Sequence, residues 1–221
     1  MTRAVFERQL TEIQEDMLVM AGMVETAITQ SIEALRLRDV ALARRIIEND
    51  KEINRKRYEC EERCIELISL QAPLASDLRT IISVLHITVD LERMADHAEG
   101  IAKIALKLSD EPPLKPYIDI PRMAEVAARM LSGALDAYKL RDAVRAREII
   151  EMDDEVDGLY EQVYRELLTF MIDDPKTIQR ATYLIWVAHN LERIADRSTN
   201  ICERVVYLVE GRVYDLNVSK Y

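Results

Sequence analysis

The sequence predicts an all-α protein built as two tandem, similar three-helix bundles, with six long antiparallel helices. Three observations predict it. Apolar residues recur three, four or seven positions apart along most of the chain, which is the period of an amphipathic helix. The 5 glycines and 6 prolines among 221 residues are few enough for long helices. The third observation is an internal duplication, which divides the helices into two equivalent sets.

The duplication is carried by two blocks of sequence. Leu37-Arg38-Asp39 returns 103 positions later as Leu140-Arg141-Asp142. The block Leu-Glu-Arg-Met-Ala-Asp at 91–96 returns 100 positions later, at 191–196, with Ile in place of Met. A unit of roughly 100 residues is therefore present twice, as in proteins built from repeated modules. Residues kept at matching positions belong either to a common core or to a common site.

The first half of the chain predicts three helices. An apolar stripe that begins at Leu10, Ile13 and Met17 defines the first helix. Asp39 can cap the second, because its carboxylate can accept hydrogen bonds from the free N–H groups of a first helical turn. Gln71-Ala72-Pro73 interrupts the pattern, because proline is poorly tolerated inside a helix. The three predicted helices span about residues 3–37, 40–70 and 74–108.

The second half predicts three more helices. Asp119 is expected to cap the fourth, with Pro121 in its first turn. Asp142 caps the fifth, in correspondence with Asp39. Asp173-Asp174-Pro175 separates the fifth helix from the sixth, and Gly211 ends the sixth.

A proline-rich segment, Ser109–Pro116, lies between the two halves and cannot be helix interior. It marks the boundary that a two-bundle protein needs. The predicted division is a first bundle at 1–110, a linker at 111–117, a second bundle at 118–212 and a tail without helical period at 213–221.

Composition excludes several classes of function. A net charge of −10 opposes nonspecific binding to nucleic acid, whose phosphates require a basic surface. No window of about 18 apolar residues predicts a membrane span, and the charged N-terminus lacks the apolar segment of a signal peptide. A cytoplasmic protein is the expectation. The odd number of cysteines disfavours a disulfide framework, and Cys60 and Cys64 are expected to be small core residues.

Acidic residues repeat at matching positions of the two halves. Glu92 and Asp96 lie four residues apart on one helix face, as do Glu192 and Asp196. On the fifth predicted helix, Asp153 and Asp157 have the same spacing, and Asp50 and Asn54 are their counterparts on the second. Carboxylates on neighbouring helices can converge on a cation, which relieves their mutual repulsion. The candidate metal ligands are Glu92, Asp96, Glu192, Asp196, Asp50, Asp153, Asp157 and Asn200, with Asn54 at the position that matches Asp157.

An equally simple interpretation is a solvated, salt-bridged face that duplication preserved together with the core. Arg93 and Arg193 are placed to pair with the acids of their own helix. The pattern alone does not separate this interpretation from a metal site.

Other chemistries find no support in the residues. The glycines are not clustered, so a phosphate-binding glycine loop is excluded. The Glu-x-x-His pattern of di-iron bundle enzymes is absent. His86 and His189 lie in apolar runs and are expected in the core, whereas His97, beside Asp96, is a secondary ligand candidate.

The tandem Leu-Glu-Arg-(Met/Ile)-Ala-Asp blocks, preceded in the first half by Pro73 and Asp77-Leu78-Arg79, resemble the PhoU family of phosphate-uptake regulators. The resemblance covers essentially the whole chain except the tail. It implies a cytoplasmic protein that contacts a sensor histidine kinase and the ATPase subunit of the phosphate ABC transporter, and that represses the phosphate-starvation response when phosphate is ample. No catalytic turnover is implied.

Some members of this family carry multinuclear iron or zinc clusters on their acidic motifs. Carried over to this chain, the resemblance assigns such a role to Glu92, Asp96, Glu192 and Asp196. Many members have glycine where this chain has Ala95 and Ala195, a change that a helix tolerates.

The Asp-Leu-Arg block occurs once. The second half has Thr177-Ile178-Gln179 at the matching place, which predicts that the bundles are not equivalent and that a partner reads only the first. Asp77 and Arg79 are therefore weak candidates for a docking surface, although Asp77 also suits the first turn of a helix.

Three functions compete. The first is a regulatory adaptor, which forms a homodimer, binds no nucleic acid and reaches the membrane only through its partners. The second is a metal-dependent enzyme of the bundle type, which the missing histidine ligands disfavour. The third is a structural helical scaffold, in which the repeated acids would be unimportant.

Overall fold

The computed structural model describes residues 3–214 and 216, and within them every regular element is helical. The all-α prediction and its two tandem bundles are confirmed. The elements are α1 (Arg3–Leu37), α2 (Val40–Gln71), α3 (Ser76–Leu108), α4 (Asp119–Leu140), α5 (Ala143–Ile150), α6 (Asp153–Asp173), a 3₁₀ turn (Pro175–Thr177) and α7 (Ile178–Glu210). Among these helices, none is both long and apolar enough to cross a membrane.

The first bundle packs α1, α2 and α3 against one another, and the second packs α4, α5 and α6 against α7. The two bundles meet through α3 and α7, which form the most extensive helix pair, and through α1 and α4. One continuous apolar core runs through both. Every bundle therefore contributes its last helix to the centre of the molecule.

Several helix ends form as the sequence predicts. Asp39 accepts a hydrogen bond from the Leu42 backbone N–H at 2.9 Å, and Asp142 accepts from those of Val144 and Arg145 at 3.0 Å. Gly211 ends α7 in the left-handed conformation, with a φ of 72° that favours glycine.

The prediction that Asp119 caps the fourth helix is wrong. The residue preceding α4 is Ile118, which makes no side-chain capping bond, and Asp119 is the first residue inside the helix. A carboxylate there still interacts favourably with the positive end of the helix dipole. Aspartate is favourable both at the capping position and in the first turn, so the sequence does not separate the two.

The predicted fifth helix is interrupted at Glu151 and Met152, so it is represented by α5 and α6 together. Both residues keep right-handed helical dihedrals, but Met152 N donates to Ile149 O at 3.1 Å, a bond one residue shorter than the α-helical one. Three acids, Asp153, Asp154 and Glu155, form the first turn of α6. Carboxylates are most favourable at a helix N-terminus, so they stabilise a new start at this point.

The central crossing is lined by the apolar members of the duplicated block. Leu91 and Met94 of α3 and Leu191 and Ile194 of α7 have no exposed surface. Cys60 and Cys64 are buried free thiols, so their prediction as core residues is confirmed.

The segment between the bundles packs on the second bundle. Lys115 is buried, and its ammonium group pairs with Glu166 of α6. In the predicted tail, the Leu216 N–H donates to Glu203 Oε1 at 2.8 Å, and the Leu216 side chain packs against the core. The remainder of that tail, residues 215 and 217–221, lies outside the described residues.

Candidate functional site

The helical period divides each Leu-Glu-Arg-x-Ala-Asp block into a buried face and an outer face. Leucine, alanine and the fourth residue enter the core, whereas glutamate, arginine and aspartate lie outside it. In each block the two acids are half-buried and the arginine is exposed. The acids therefore occupy the margin between core and solvent, in both bundles.

The first acidic cluster joins α2 to α3. Asp50 of α2 faces Glu92, Asp96 and Glu99 of α3, and burial together with these three negative charges raises the pKa of Asp50 to about 6. Asn54 Nδ2 donates to Asp50 Oδ2 at 2.7 Å. Asp50 Oδ1 is buried and has no hydrogen-bond partner among the described residues. Acids of α2 and α3 therefore lie close enough for their charges to interact.

The second acidic cluster joins α6 to α7. Burial raises the pKa of Glu192 to about 7, with Asp196 and Asp157 adding to the rise and Arg193 opposing it. Burial likewise raises the pKa values of Asp157 and Asp196. Asp153 is buried at the start of α6. Burial thus favours the protonated form of Asp50 in the first bundle, and of Glu192, Asp157 and Asp196 in the second.

An arginine within each block already pairs with the acids. Arg193 Nε lies 3.2 Å from Glu192 Oε2, and its Nη1 donates to Asp196 Oδ2 at 2.8 Å. In α3, Arg93 Nη1 donates to Asp96 Oδ2 at 3.2 Å and Nε lies 3.5 Å from Glu92 Oε2. The guanidinium groups therefore compensate part of the negative charge of each cluster.

The acidic clusters are not arranged as a metal site in the described residues, and a cation would have to displace the arginines from the acids. Within residues 3–214 and 216, no group of three or more histidine, cysteine, aspartate or glutamate side chains is placed to hold one. The donors are carboxylates suited to a hard cation, but they are held by Arg93 and Arg193. The iron or zinc expectation stays a prediction.

Asn200 lies at the interface between the bundles. Its Nδ2 donates to Oδ1 of Asp90 at 3.1 Å, and Arg197 Nη1 donates to the same oxygen at 3.2 Å. Asp90 is buried, which raises its pKa, while its partners favour the ionised form. Sequence reasoning missed Asp90. A polar residue on the apolar face of α3, matched by Asn190 in α7, was the available signal.

A second polar contact mirrors the first. His97 Nδ1 lies 2.8 Å from Asn190 Oδ1. At the shift of 100 residues, Asp90 corresponds to Asn190 and His97 corresponds to Arg197. The two contacts therefore occupy equivalent positions in the two halves. Gly100 matches Asn200, and a Cβ added there would lie 3.4 Å from Asn190 Oδ1. One half of the interface is charged and the other is neutral.

The prediction that His86 and His189 lie in the core is wrong, because both are exposed. His86 lies seven residues before Arg93 and His189 four residues before Arg193, so both share the outer face of their helix. Neighbouring apolar residues in the sequence concealed this face. His189 Nδ1 lies 3.1 Å from Glu192 Oε2.

Asp77 and Arg79, the predicted docking residues, are half-buried at the start of α3. Asp77 pairs with Arg3 of α1. The Arg79 guanidinium lies against Gly211, where it suits the negative end of the α7 dipole. Both residues thus make contacts that hold helix ends together, and a role in docking stays a prediction.

The fold and its site define a duplicated all-α protein with one acidic cluster in each half. The PhoU domain model matches twice, at residues 17–105 and 120–205. The chain belongs to the PhoU family, as its motifs predict.

Relatives match over nearly the full length. A phosphate-specific transport system accessory protein PhoU homolog of Aquifex aeolicus is 42% identical over 206 residues, which is 93% of each chain. The protein of the same name from Clostridium acetobutylicum is 39% identical over 98% of this chain and 100% of its own. The crystal structure of PhoU from Pseudomonas aeruginosa superposes with a TM-score of 0.90 at 35% identity, covering 94% of this chain and 100% of the other.

Proposed function

We propose that this protein is a regulatory accessory protein of phosphate uptake. The observation that carries the proposal is the PhoU domain match to both halves, at 17–105 and 120–205, together with relatives named as accessory proteins of phosphate-specific transport. The protein acts in the cytoplasm as an adaptor. When phosphate is ample, it represses a sensor histidine kinase and modulates the ATPase subunit of the phosphate ABC transporter.

A binding role is supported over a catalytic one by the chemistry of the acidic clusters. The acids of each block pair with an arginine of the same block. A general acid or base needs a free proton site beside a substrate, whereas charged pairs at a half-buried margin suit contacts with another protein. The relatives carry the name of accessory proteins and not of enzymes.

Iron or zinc binding at the two acidic clusters, and a homodimer, belong to the same proposal. Asp50 Oδ1, buried without a hydrogen-bond partner in the described part of the chain, supports an affinity for cations in the first cluster. Titration of the chelated, purified protein with zinc, followed by calorimetry and sedimentation, tests both statements. A protein that binds no zinc and stays monomeric would remove them without affecting the adaptor function.

The adaptor function is tested by repression of alkaline phosphatase in a bacterium that lacks its own regulator of this type. The strain expresses this chain together with the histidine kinase and the transporter ATPase of the organism that encodes it. Restored repression in phosphate-rich medium is the expected result. Full derepression with folded, abundant protein and its own partners present would contradict the proposal.

Variants of the acidic blocks separate an adaptor from a structural scaffold. Replacing Glu92 and Asp96 by Gln and Asn is expected to weaken repression, because the charged margin is the shared feature of both bundles. The matched control replaces Glu15 and Glu33, two exposed acids of α1, by Gln, and is expected to repress normally. Equal repression by all variants would favour the scaffold.

A further inference from the structure

Aromatic rings gather on the outer surface of α6 and α7. Tyr160 of α6 has its ring centroid 6.4 Å from that of Tyr164 and 6.2 Å from that of His189 of α7. On α7, Trp186 stands edge-on to Tyr183 with centroids 5.8 Å apart. Trp186 is 49% exposed and Tyr164 is 42% exposed. These five residues are named the aromatic patch.

Carboxylates border the aromatic patch. Glu192 Oε2 lies 3.1 Å from His189 Nδ1, and the charge of Glu192 acts directly on Tyr160. Glu192 belongs to the second acidic cluster with Asp157 and Asp196. Ring faces carry a negative quadrupole, so rings and carboxylates together make a surface that attracts cations. The same carboxylates disfavour anionic lipid headgroups and nucleic acid.

The chain itself places cations on rings of this kind. Lys107 of α3 has its ammonium nitrogen 5.1 Å from the centroid of Tyr183, at one end of the aromatic patch. In the first bundle, the Arg57 guanidinium lies 4.7 Å from the centroid of Tyr58. Both contacts have the geometry of a cation–π interaction.

The first bundle lacks an equivalent of the aromatic patch. The matching positions carry neither tyrosine nor tryptophan; they are Arg57, Glu61, Ser83, His86 and Val89. Where α6 has Tyr160, α2 has Arg57, whose Nη2 pairs with Glu61 at 3.0 Å. The first bundle thus supplies its own guanidinium at this position, and the second replaces it with a ring.

We propose that the aromatic patch binds an arginine-rich basic segment of a partner protein. Its guanidinium groups stack on the exposed rings, one group to a ring face. Their charge faces the second acidic cluster, where Arg193 leaves part of the negative charge of Glu192, Asp157 and Asp196 uncompensated. Arginine fits better than lysine because its planar, weakly hydrated group stacks on rings. Tryptophan, tyrosine and arginine are also the residues that dominate binding energy at protein interfaces.

This inference deepens the proposed function, since it states the chemistry of one partner of the adaptor and rests on the adaptor function for that partner's existence. It also differs from the sequence-based expectation that a partner reads the first bundle. The binding measurement below uses purified protein and peptide, so its failure is separate from failure of the repression assay.

The chain has one tryptophan, Trp186, so its emission reports the aromatic patch directly. The purified full chain is titrated with a short arginine–serine peptide without aromatic residues, in a chelating buffer, by fluorescence and by calorimetry. We expect a saturable change in emission whose midpoint rises with salt. A peptide with citrulline in place of arginine keeps the shape and loses the charge, and is expected not to bind.

Tyr160→Arg places the residue of the first bundle into the second and is the decisive variant. It should lower the affinity for the arginine–serine peptide by about fivefold to tenfold, because a cation–π contact is lost and a like charge is gained. Tyr58→Ala, the matched control, removes a 56% exposed tyrosine of the first bundle and should bind normally. Circular dichroism verifies that both variants fold, and Tyr160→Ala replaces Tyr160→Arg if the latter does not.

Three results would overturn the proposal. The first is an absence of saturable binding, and the second is equal binding of the citrulline peptide or of the Tyr160→Arg protein. The third is an emission change that depends on protein concentration and not on peptide, which would identify a second copy of the chain as the occupant.

Discussion

The two bundles share one apolar core and differ in the polar residues at matching positions of their interface. At their interface, the first bundle contributes Asp90, which binds Arg197 and Asn200, and the second contributes Asn190, which binds His97. The apolar positions beside them, such as Leu91 and Leu191, are equally buried. Packing constrains an apolar side chain through all its neighbours, whereas a polar contact can be replaced by another that satisfies the same groups.

The outer surfaces have diverged further. The second bundle carries the aromatic patch, and the first carries Arg57, paired with Glu61, at the position of Tyr160. Solvent-facing positions cost little stability when they change, so they are free to acquire different binding chemistry. Variants at matching positions of the two bundles test this divergence.

The largest effect is expected at the shared core. Leu91→Ala and Leu191→Ala should each lower the free energy of unfolding by about 2–5 kcal/mol, because both remove fully buried side chains. The two costs should be similar, and both should shift one common transition in urea, since one core joins the bundles.

The control for the core variants is Val19→Ala, at a position that is 54% exposed on α1, and its effect should stay within about 0.5 kcal/mol. Two separate transitions, each moved by only one of the leucine variants, would show that the bundles unfold independently.

The next effect distinguishes the charged and neutral halves of the interface. Asp90→Ala leaves the half-buried Arg197 without its partner and should cost about 2–3 kcal/mol, less than a fully buried pair because Arg197 contacts solvent. Asn190→Ala removes a neutral contact and should cost about 1 kcal/mol. Urea unfolding measures both.

The double variant Asp90→Asn with Arg197→His copies the neutral half into the charged half. It should recover most of the stability lost in Asp90→Ala. Equal costs for Asp90→Ala and Asn190→Ala would contradict the distinction.

A smaller effect is expected from the acidic clusters, and it depends on pH. The pKa values of Asp50 and Glu192 are raised from 3.8 and 4.5 to about 6 and about 7. Their protonated forms stabilise the folded state below the unfolded values, and this stability is lost as pH rises through the folded values. Asp50→Asn and Glu192→Gln should therefore raise the free energy of unfolding at pH 8 by about 1 kcal/mol, after allowance for solvent screening.

The two clusters should differ in their midpoints. In a chelating buffer, the gain in the free energy of unfolding should be nearly complete by about pH 6 for Asp50→Asn and by about pH 7 for Glu192→Gln. Both gains should vanish near pH 4. Glu15→Gln, an exposed acid, serves as the control at every pH. Lower stability of Asp50→Asn at pH 8 would show that its carboxylate is stabilising.

The smallest effect compares the equivalent caps. Asp39→Ala and Asp142→Ala should each cost about 1 kcal/mol, with the larger loss at Asp142, which accepts two backbone hydrogen bonds where Asp39 accepts one. Asp119 makes no capping bond, so Asp119→Ala should cost only about 0.3–0.5 kcal/mol, through the lost interaction with the helix dipole. Thermal unfolding compares the three, and a loss at Asp119 equal to that at Asp142 would contradict the assignment of its role.

The helices, their duplication and the family can all be read from the sequence. They can be predicted because the apolar period, the capping residues and the prolines that define a helix lie close together in the sequence. The acids of α2 and α3 could also be placed together, because a shared bundle requires their helices to be neighbours. The break at Glu151 could not be read in this way, because the matching residues of α2 continue as one helix.

How the two bundles meet, and which surfaces remain open, depends on the tertiary structure. The contact of Asp90 with Arg197 joins residues 107 positions apart, and the aromatic patch joins α6 to α7 through side chains that look like core residues in the sequence. The physical reason is that a helix repeats every 3.6 residues whichever neighbour it has, so its period defines a buried face but does not identify the helix that covers it.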